Sequence, residues 1–198
     1  MTITAQDVKA LRDRTGAGMM DCKKALEESG GDADKAMDLL RARGVARAAK
    51  RAARSANQGT IGSYVHFDGR TAVIVELNCE TDFVANTDEF KALAKDLAMH
   101  IASAAPLAVS QADIPADVVE HERAIYLEQV KEEGKPEHIA AKIVEGKMQK
   151  FFKESTLLAQ PFVKDPDRTI EDLITGVSAK TGEKVQVARF ARLRVGES

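Results

Sequence analysis

Thr71-Ala-Val-Ile-Val-Glu-Leu-Asn-Cys-Glu-Thr-Asp-Phe-Val84 changes character halfway along. Residues 71–77 are mostly apolar and rich in β-branched side chains, the pattern of a strand. After residue 84 the apolar positions are Phe90, Leu93, Ala94, Leu97 and Ile101, the spacing of one helix face. Residues 78–84 are therefore the turn that a strand hands to a helix, and the helix is expected over about 87–104. Such turns present functional groups well, because two rigid elements hold a short exposed segment. This one carries an acid, Asp82, beside an aromatic, Phe83. Two readings are open: a protruding wedge with a charged tip, or a ring that plugs the core beneath the helix while Asp82 caps it. On these residues alone the packing reading weighs more.

Outward from that turn, the chain's 198 residues suffice for one domain with an appendage or for two small ones. Apolar residues make up 44%, enough for a globular core. Trp is absent and aromatics are few, which argues against a deep aromatic pocket and against rows of base-stacking rings. The net charge of −2 hides an asymmetry. Arg41, Arg43, Arg47, Lys50, Arg51 and Arg54 fall in one stretch with no acid between them, so the remainder is acidic. Cys22 and Cys79 lie far apart without metal-ligand spacing, which suits a reducing compartment. The opening residues lack the basic and then apolar regions of a secretory signal, and no apolar run approaches a membrane span. A cytoplasmic protein is expected.

Before the turn, residues 4–44 carry three short helices. Thr4 and Asp7 form a capping box, Thr15-Gly-Ala-Gly18 breaks the chain, Gly30-Gly31 ends the second helix and Asp32 caps the third, which Gly44 is expected to stop. This gives a three-helix module over 1–45, joined by a basic helical linker at 46–58 to a larger body over 59–198. The linker is either a solvated spacer or a nucleic-acid patch; with no aromatics among its charges the spacer weighs more. Residues 61–67 and 71–78 make a hairpin around Asp68-Gly69. After Pro106, two long helices meet at Gly134-Lys-Pro136, an antiparallel helical hairpin at about 116–155. Gln160-Pro-Phe-Val163 returns the chain to the sheet, Thr169 caps a helix, and residues 185–195 form a last strand. Its two faces carry Val187, Ala191, Leu193 and Val195 on one side and Phe190, Arg192 and Arg194 on the other. The aromatic among arginines suggests that the second face is covered, with another subunit as a candidate.

Catalytic sets are missing. Gly16-Ala-Gly18 lacks the third glycine and the preceding strand of a dinucleotide loop, and Lys180-Thr-Gly182 has no companion Ser-x-x-Lys. His66, His100, His121 and His138 have no i, i+4 pairing, so neither a metal nor another cofactor is expected. A binding protein is the default, and an enzyme acting on a small molecule ranks below it. Met19-Met20 opens the second helix directly after a glycine break, where core packing and a partner surface are equally good readings.

Val8-Lys-Ala-Leu-Arg-Asp-Arg-Thr-Gly-Ala-Gly-Met-Met-Asp-Cys-Lys-Lys-Ala-Leu26 resembles the N-terminal signature of the bacterial elongation factor Ts family. Asn78-Cys-Glu-Thr-Asp-Phe-Val-Ala85 resembles its second signature. Leu97-Ala-Met-His100, Gly134-Lys-Pro136, Ile143-Val-Glu-Gly146 and Gln160-Pro-Phe-Val163 are similar to later family segments, in the family's order. The resemblance spans nearly the whole chain and outweighs the packing reading of Phe83. It implies an α+β fold: an N-terminal three-helix module like ubiquitin-associated domains, a helical linker, an α+β core with an antiparallel sheet, and a long helical hairpin. The longest members carry two core units in tandem and a further C-terminal helical module. This chain has one unit, like the short members, and Tyr64-Val-His66 resembles the opening of the second copy.

The resemblance also implies a function, namely guanine-nucleotide exchange on elongation factor Tu during translation elongation, by protein–protein binding and not by catalysis of a reaction. The partner would be engaged both GDP-bound and nucleotide-free. Thr81, Asp82, Phe83 and Val84 would act at its Mg²⁺ and phosphate site, with Phe83 as the wedge. Leu11, Arg12, Met19, Met20 and Lys23 would grip its nucleotide domain. A homodimer would supply the second core half, and no membrane or direct nucleic-acid partner is expected. The alternative is an RNA-binding accessory protein using the basic 41–54 segment.

Overall fold

The computed structural model describes residues 3–134 and 136–197, without the side chains of Val45, Ala48, Ala49, Glu137 and His138. Lys135 of the expected helix–helix break therefore lies outside the described residues, as does the His138 side chain. Eight α-helices and five strands appear among them, an α+β chain. Three strands form one sheet in the order β1 (Gln58–Val65), β2 (Thr71–Cys79) and β5 (Gln186–Arg194). The chain divides into two compact units, residues 1–62, 75–96 and 172–188 in one and 63–74, 97–171 and 189–198 in the other.

The first unit holds α1 (Ala5–Thr15), α2 (Met19–Glu28) and α3 (Ala33–Arg51). Val8, Leu11, Cys22, Ala25, Leu26 and Ala36 form their common core. The expected caps are present. Thr4 and Asp7 exchange capping-box bonds, Gly16 takes the left-handed conformation at φ 66°, and the Asp32 carboxylate accepts from the N–H groups of Asp34 and Lys35, each at 3.1 Å. Gly44 does not stop α3, contrary to the sequence expectation. Alanine, arginine and lysine on both sides carry the helix through a single glycine, whose cost is about 1 kcal/mol. The helix is also docked on both sides of the glycine: ahead of it Arg41 forms a two-point bond to Asp172 (3.1 and 2.8 Å), and beyond it Arg51 donates to the Ser178 carbonyl at 3.0 Å. The basic segment is thus no free spacer. Gly62 of β1 lies so close to α5 (Asp88–Ala104) that a Cβ there would sit 2.3 Å from the Ala94 carbonyl oxygen.

The second unit contains α6 (Ala116–Glu132) and α7 (Glu137–Ser155), packed on one another around Val130, Ala140, Val144, Met148 and Phe152. Arg123 pairs with Glu145 and Lys147 reaches Gln129 across them. Gln160-Pro-Phe-Val163 does not rejoin the main sheet. Pro161–Phe162 (β3) pairs antiparallel with Asp165–Thr169 (β4) in a separate two-stranded ribbon. Helix α8 (Ile170–Thr181) follows, and from Asp172 onward it belongs to the first unit. His100 is fully buried in the second unit. Its Nε2 meets Gln160 Oε1 at 2.9 Å, and its Nδ1 accepts from the Val163 N–H at 3.4 Å. Burial holds its pKa below the ordinary imidazole value.

The second face of β5 is partly covered, as expected, and its own chain supplies cover. Phe190 and Arg192 are half-buried by their own chain, Arg192 donating to the Ala102 carbonyl of α5 at 3.4 Å. Ala191, Leu193 and Val195 are the exposed side. Val65, Phe67 and Ile74 are exposed on the neighbouring strands, and the Val195 N–H bonds the Arg70 carbonyl at 2.9 Å, setting the end of β5 beside the start of β2.

Candidate functional site

Strand β2 delivers the chain to Cys79, and the next residues wind into a one-turn helix, α4 (Asp82–Ala85), instead of an open turn. Thr81 is its N-cap, with extended dihedrals (φ −127°, ψ 155°) and its hydroxyl accepting from the Val84 N–H at 3.4 Å. The Asp82 carbonyl accepts from both Asn86 N and Asn86 Nδ2 at 3.0 Å, while its side chain is exposed. Thr87 donates its hydroxyl to the Val84 carbonyl at 2.8 Å and so joins α4 to α5. Ala85 is the inward-facing residue of this turn. Phe83 points away from it and is 83% exposed, so the core-plug reading fails.

Beneath this turn lies a bracket of two carboxylates. Glu183, just ahead of β5, accepts from Thr81 Oγ1 at 2.6 Å and from the N–H groups of Glu80 and Thr81, each at 3.1 Å. Glu80 answers from the other side: its carboxylate accepts from the Lys184 N–H at 2.6 Å and from Arg54 at 3.2 Å. The Lys184 N–H, together with Arg54 and against the effect of burial, holds the Glu80 carboxyl below its usual range. The Lys184 ammonium donates to the Ala52 and Arg54 carbonyls at 2.8 and 3.0 Å, and Ser178 Oγ donates to the Glu183 carbonyl at 2.5 Å. Cys79 is buried below; its thiol donates to the Thr81 carbonyl at 3.1 Å and burial raises its pKa, so it is a packing group. Sequence reasoning missed Glu183, Glu80 and Lys184. Two of them stand a hundred residues from the turn, and only the pairing of β2 with β5 brings them to it.

The second predicted set is divided. Met19 and Met20 at the start of α2 are 54% and 64% exposed, which favours the surface reading. Arg12 and Lys23 are also exposed, Lys23 lying 3.8 Å from Glu27. Leu11 does not belong with them: at 2% exposure it packs the core between the three helices and cannot touch a partner. Lys180 links the two sets, its stem filling the space where a Gly16 Cβ would stand and its ammonium bonding Glu89 of α5 at 2.5 Å. The loop before Met19 and the helix after Phe83 thus share one brace.

The basic segment is engaged internally. Arg43 pairs with Glu28, Arg47 holds Asp21 through two bonds of 2.8 and 2.9 Å, and Arg41, Arg51 and Arg54 have the partners given above. The Arg47 bonds lower the Asp21 pKa. Among the described residues, no group of His, Cys, Asp and Glu is arranged to hold a metal, and no helix is long and apolar enough to cross a membrane.

The chain matches the family model described as Elongation factor TS over residues 33–197. Proteins named Elongation factor Ts from three bacteria resemble it along its length. That of Carboxydothermus hydrogenoformans is 55% identical over 98% of this chain and 90% of its own. That of Thermosipho melanesiensis is 54% identical over 98% of this chain and all of its own, and that of Fervidobacterium nodosum 53% over the full length of both. An exposed aromatic on a buttressed turn, the signatures that led to it, and end-to-end similarity converge: the chain belongs to the elongation factor Ts family.

Proposed function

We propose that the chain is a guanine-nucleotide exchange factor for elongation factor Tu, acting by binding and not by covalent chemistry. The observation that carries this reading is Phe83, a large apolar ring held in solvent on a turn capped by Thr81 and tied to Asn86. Leaving a ring in water forgoes about 1.5–3 kcal/mol of burial, and an intermolecular contact recovers it. A GTPase holds GDP through backbone amides and a Mg²⁺ ion with near-octahedral ligands at tight distances, so small displacements there cost much. In this account Phe83 pushes between side chains near the partner's metal, and Asp82 disturbs its ligand and water network. Thr81 and Val84 keep the turn in place.

Linkage sets what this can achieve. If the factor weakens GDP binding, GDP weakens factor binding by the same free energy, typically about 1–3 kcal/mol. A wide grip must offset that loss. The UBA-like module over 1–45 supplies part of it through Arg12, Met19, Met20 and Lys23, and the helical pair at 116–155 and the core over 59–198 supply the rest. Residues 46–58 join the parts. A homodimer forms through the exposed apolar side of the sheet, at Val65, Phe67, Ile74, Leu193 and Val195. A cytoplasmic location goes with this role.

RNA binding through residues 41–54 is the weaker reading, because Arg41, Arg43, Arg47 and Arg54 would each have to leave an acid of their own chain before neutralising a phosphate. The test is direct. Added to elongation factor Tu loaded with fluorescent GDP, the protein should speed nucleotide loss, and an unchanged rate would refute the proposal. An RNA gel shift over a salt series tests the alternative.

A further inference from the structure

We propose that Glu183 is a positioning residue for nucleotide exchange: its carboxylate sets the direction in which the 81–84 turn presents Phe83. The inference rests on the wedge reading of Phe83 and adds to it a residue outside both sequence signatures.

The geometry makes the case. A one-turn helix has almost no intrinsic stability, since nucleation fixes several dihedrals for a single hydrogen bond. The cap bond from Val84 to Thr81 is long, at 3.4 Å, and is a weak anchor by itself. Glu183 accepts three bonds from Glu80 and Thr81, one from the capping hydroxyl and two from their successive backbone N–H groups. Bonds to an ionised acceptor are the stronger kind. Because the Thr81 hydroxyl donates to Glu183 Oε1, its lone pairs are turned toward α4, which is the orientation capping requires. The carboxylate thus fixes both the entry of the chain into α4 and the rotor of its cap. Glu183 is itself held, through its carbonyl by Ser178 and through its neighbour Lys184 by Glu80. An element that must push against another protein's metal site needs such backing, or the reaction force is lost in rotation of the turn.

The test compares Glu183→Ala, Glu183→Gln, Phe83→Ala and the double variant Glu183→Ala/Phe83→Ala. The readouts are the GDP release rate at saturating factor, the half-saturating concentration, and amide hydrogen exchange at residues 80–84. For Glu183→Ala the saturating rate should fall about tenfold, as expected for losing charge-assisted bonds that hold the reacting geometry, with half-saturation moving less than about twofold. Glu183→Gln keeps an acceptor oxygen and should recover part of the rate, and it stands in if the alanine variant does not fold. If Glu183 works through Phe83, adding Glu183→Ala to Phe83→Ala should change the rate by less than about twofold. A wild-type rate in folded Glu183 variants, or losses that multiply in the double variant, would overturn the positioning role while leaving the wedge intact. If Phe83→Ala itself changes nothing, the wedge fails separately. Hydrogen exchange then decides on Glu183: faster exchange at Thr81 and Val84 sustains its hold on the turn, and unchanged exchange refutes it.

Discussion

Phe83 and His100 show what single residues do here, one by exposure and the other by concealment. Phe83 stands outward, while Ala85 takes the inward position of α4. That orientation was not legible in the residues of the turn, where an aromatic beside an acid suits a plug as well as a wedge; the family signature decided it. His100 is the reverse case, a buried imidazole with both nitrogens engaged. Its folded-state pKa lies below the unfolded value of about 6.5, so the unfolded chain binds the extra proton first. Its contribution to stability is complete above that value and is lost as pH falls through it toward the folded pKa. Denaturant titrations of wild type and His100→Gln should therefore diverge less at pH 5.5 than at pH 7.5, and an equal difference at both would remove His100 from the pH dependence.

At the scale of elements, the three N-terminal helices and the β1–β2 hairpin were legible because their signals are local: caps, glycine breaks and an Asp-Gly turn. The errors arose where distant contacts decide. Gly44 looked like a stop, yet α3 continues through it, docked by Asp172 at Arg41 before the glycine and by Ser178 at Arg51 beyond it. On β5 the buried positions change parity, from Val187 to Phe190 and Arg192, which a strict period of two does not foresee. Glu183 carries no local mark at all. The contact of β1 with α5 yields a further prediction. A methyl group at Gly62 would press on the Ala94 backbone, which cannot rotate away as a side chain can. Gly62→Ala should destabilise the protein by about 1–3 kcal/mol, lowering the thermal midpoint by about 2–4 °C for each kcal/mol. An unchanged midpoint would show that β1 and α5 separate at little cost.

At the scale of the whole molecule, the proposed exchange mechanism needs a wide grip and a pushing point, and their effects on exchange should separate by experiment. The exposed sheet side is the seam of the proposed homodimer. Phe67 is 92% and Leu193 73% exposed, an unusual cost for a protein acting alone. Leu193→Asp should turn a dimer into a monomer in sedimentation equilibrium at micromolar concentration, whereas a wild-type protein that is already monomeric would exclude that seam. Phe83 is the pushing point, and the central claim turns on it. The decisive measurement is stopped-flow release of fluorescent GDP from elongation factor Tu across a range of Phe83→Ala concentrations, with low and with excess Mg²⁺. The account predicts a saturating rate at least about tenfold below wild type, half-saturation little changed, and a smaller response to Mg²⁺ than wild type shows. A wild-type saturating rate, with an unaltered Mg²⁺ response, would contradict it.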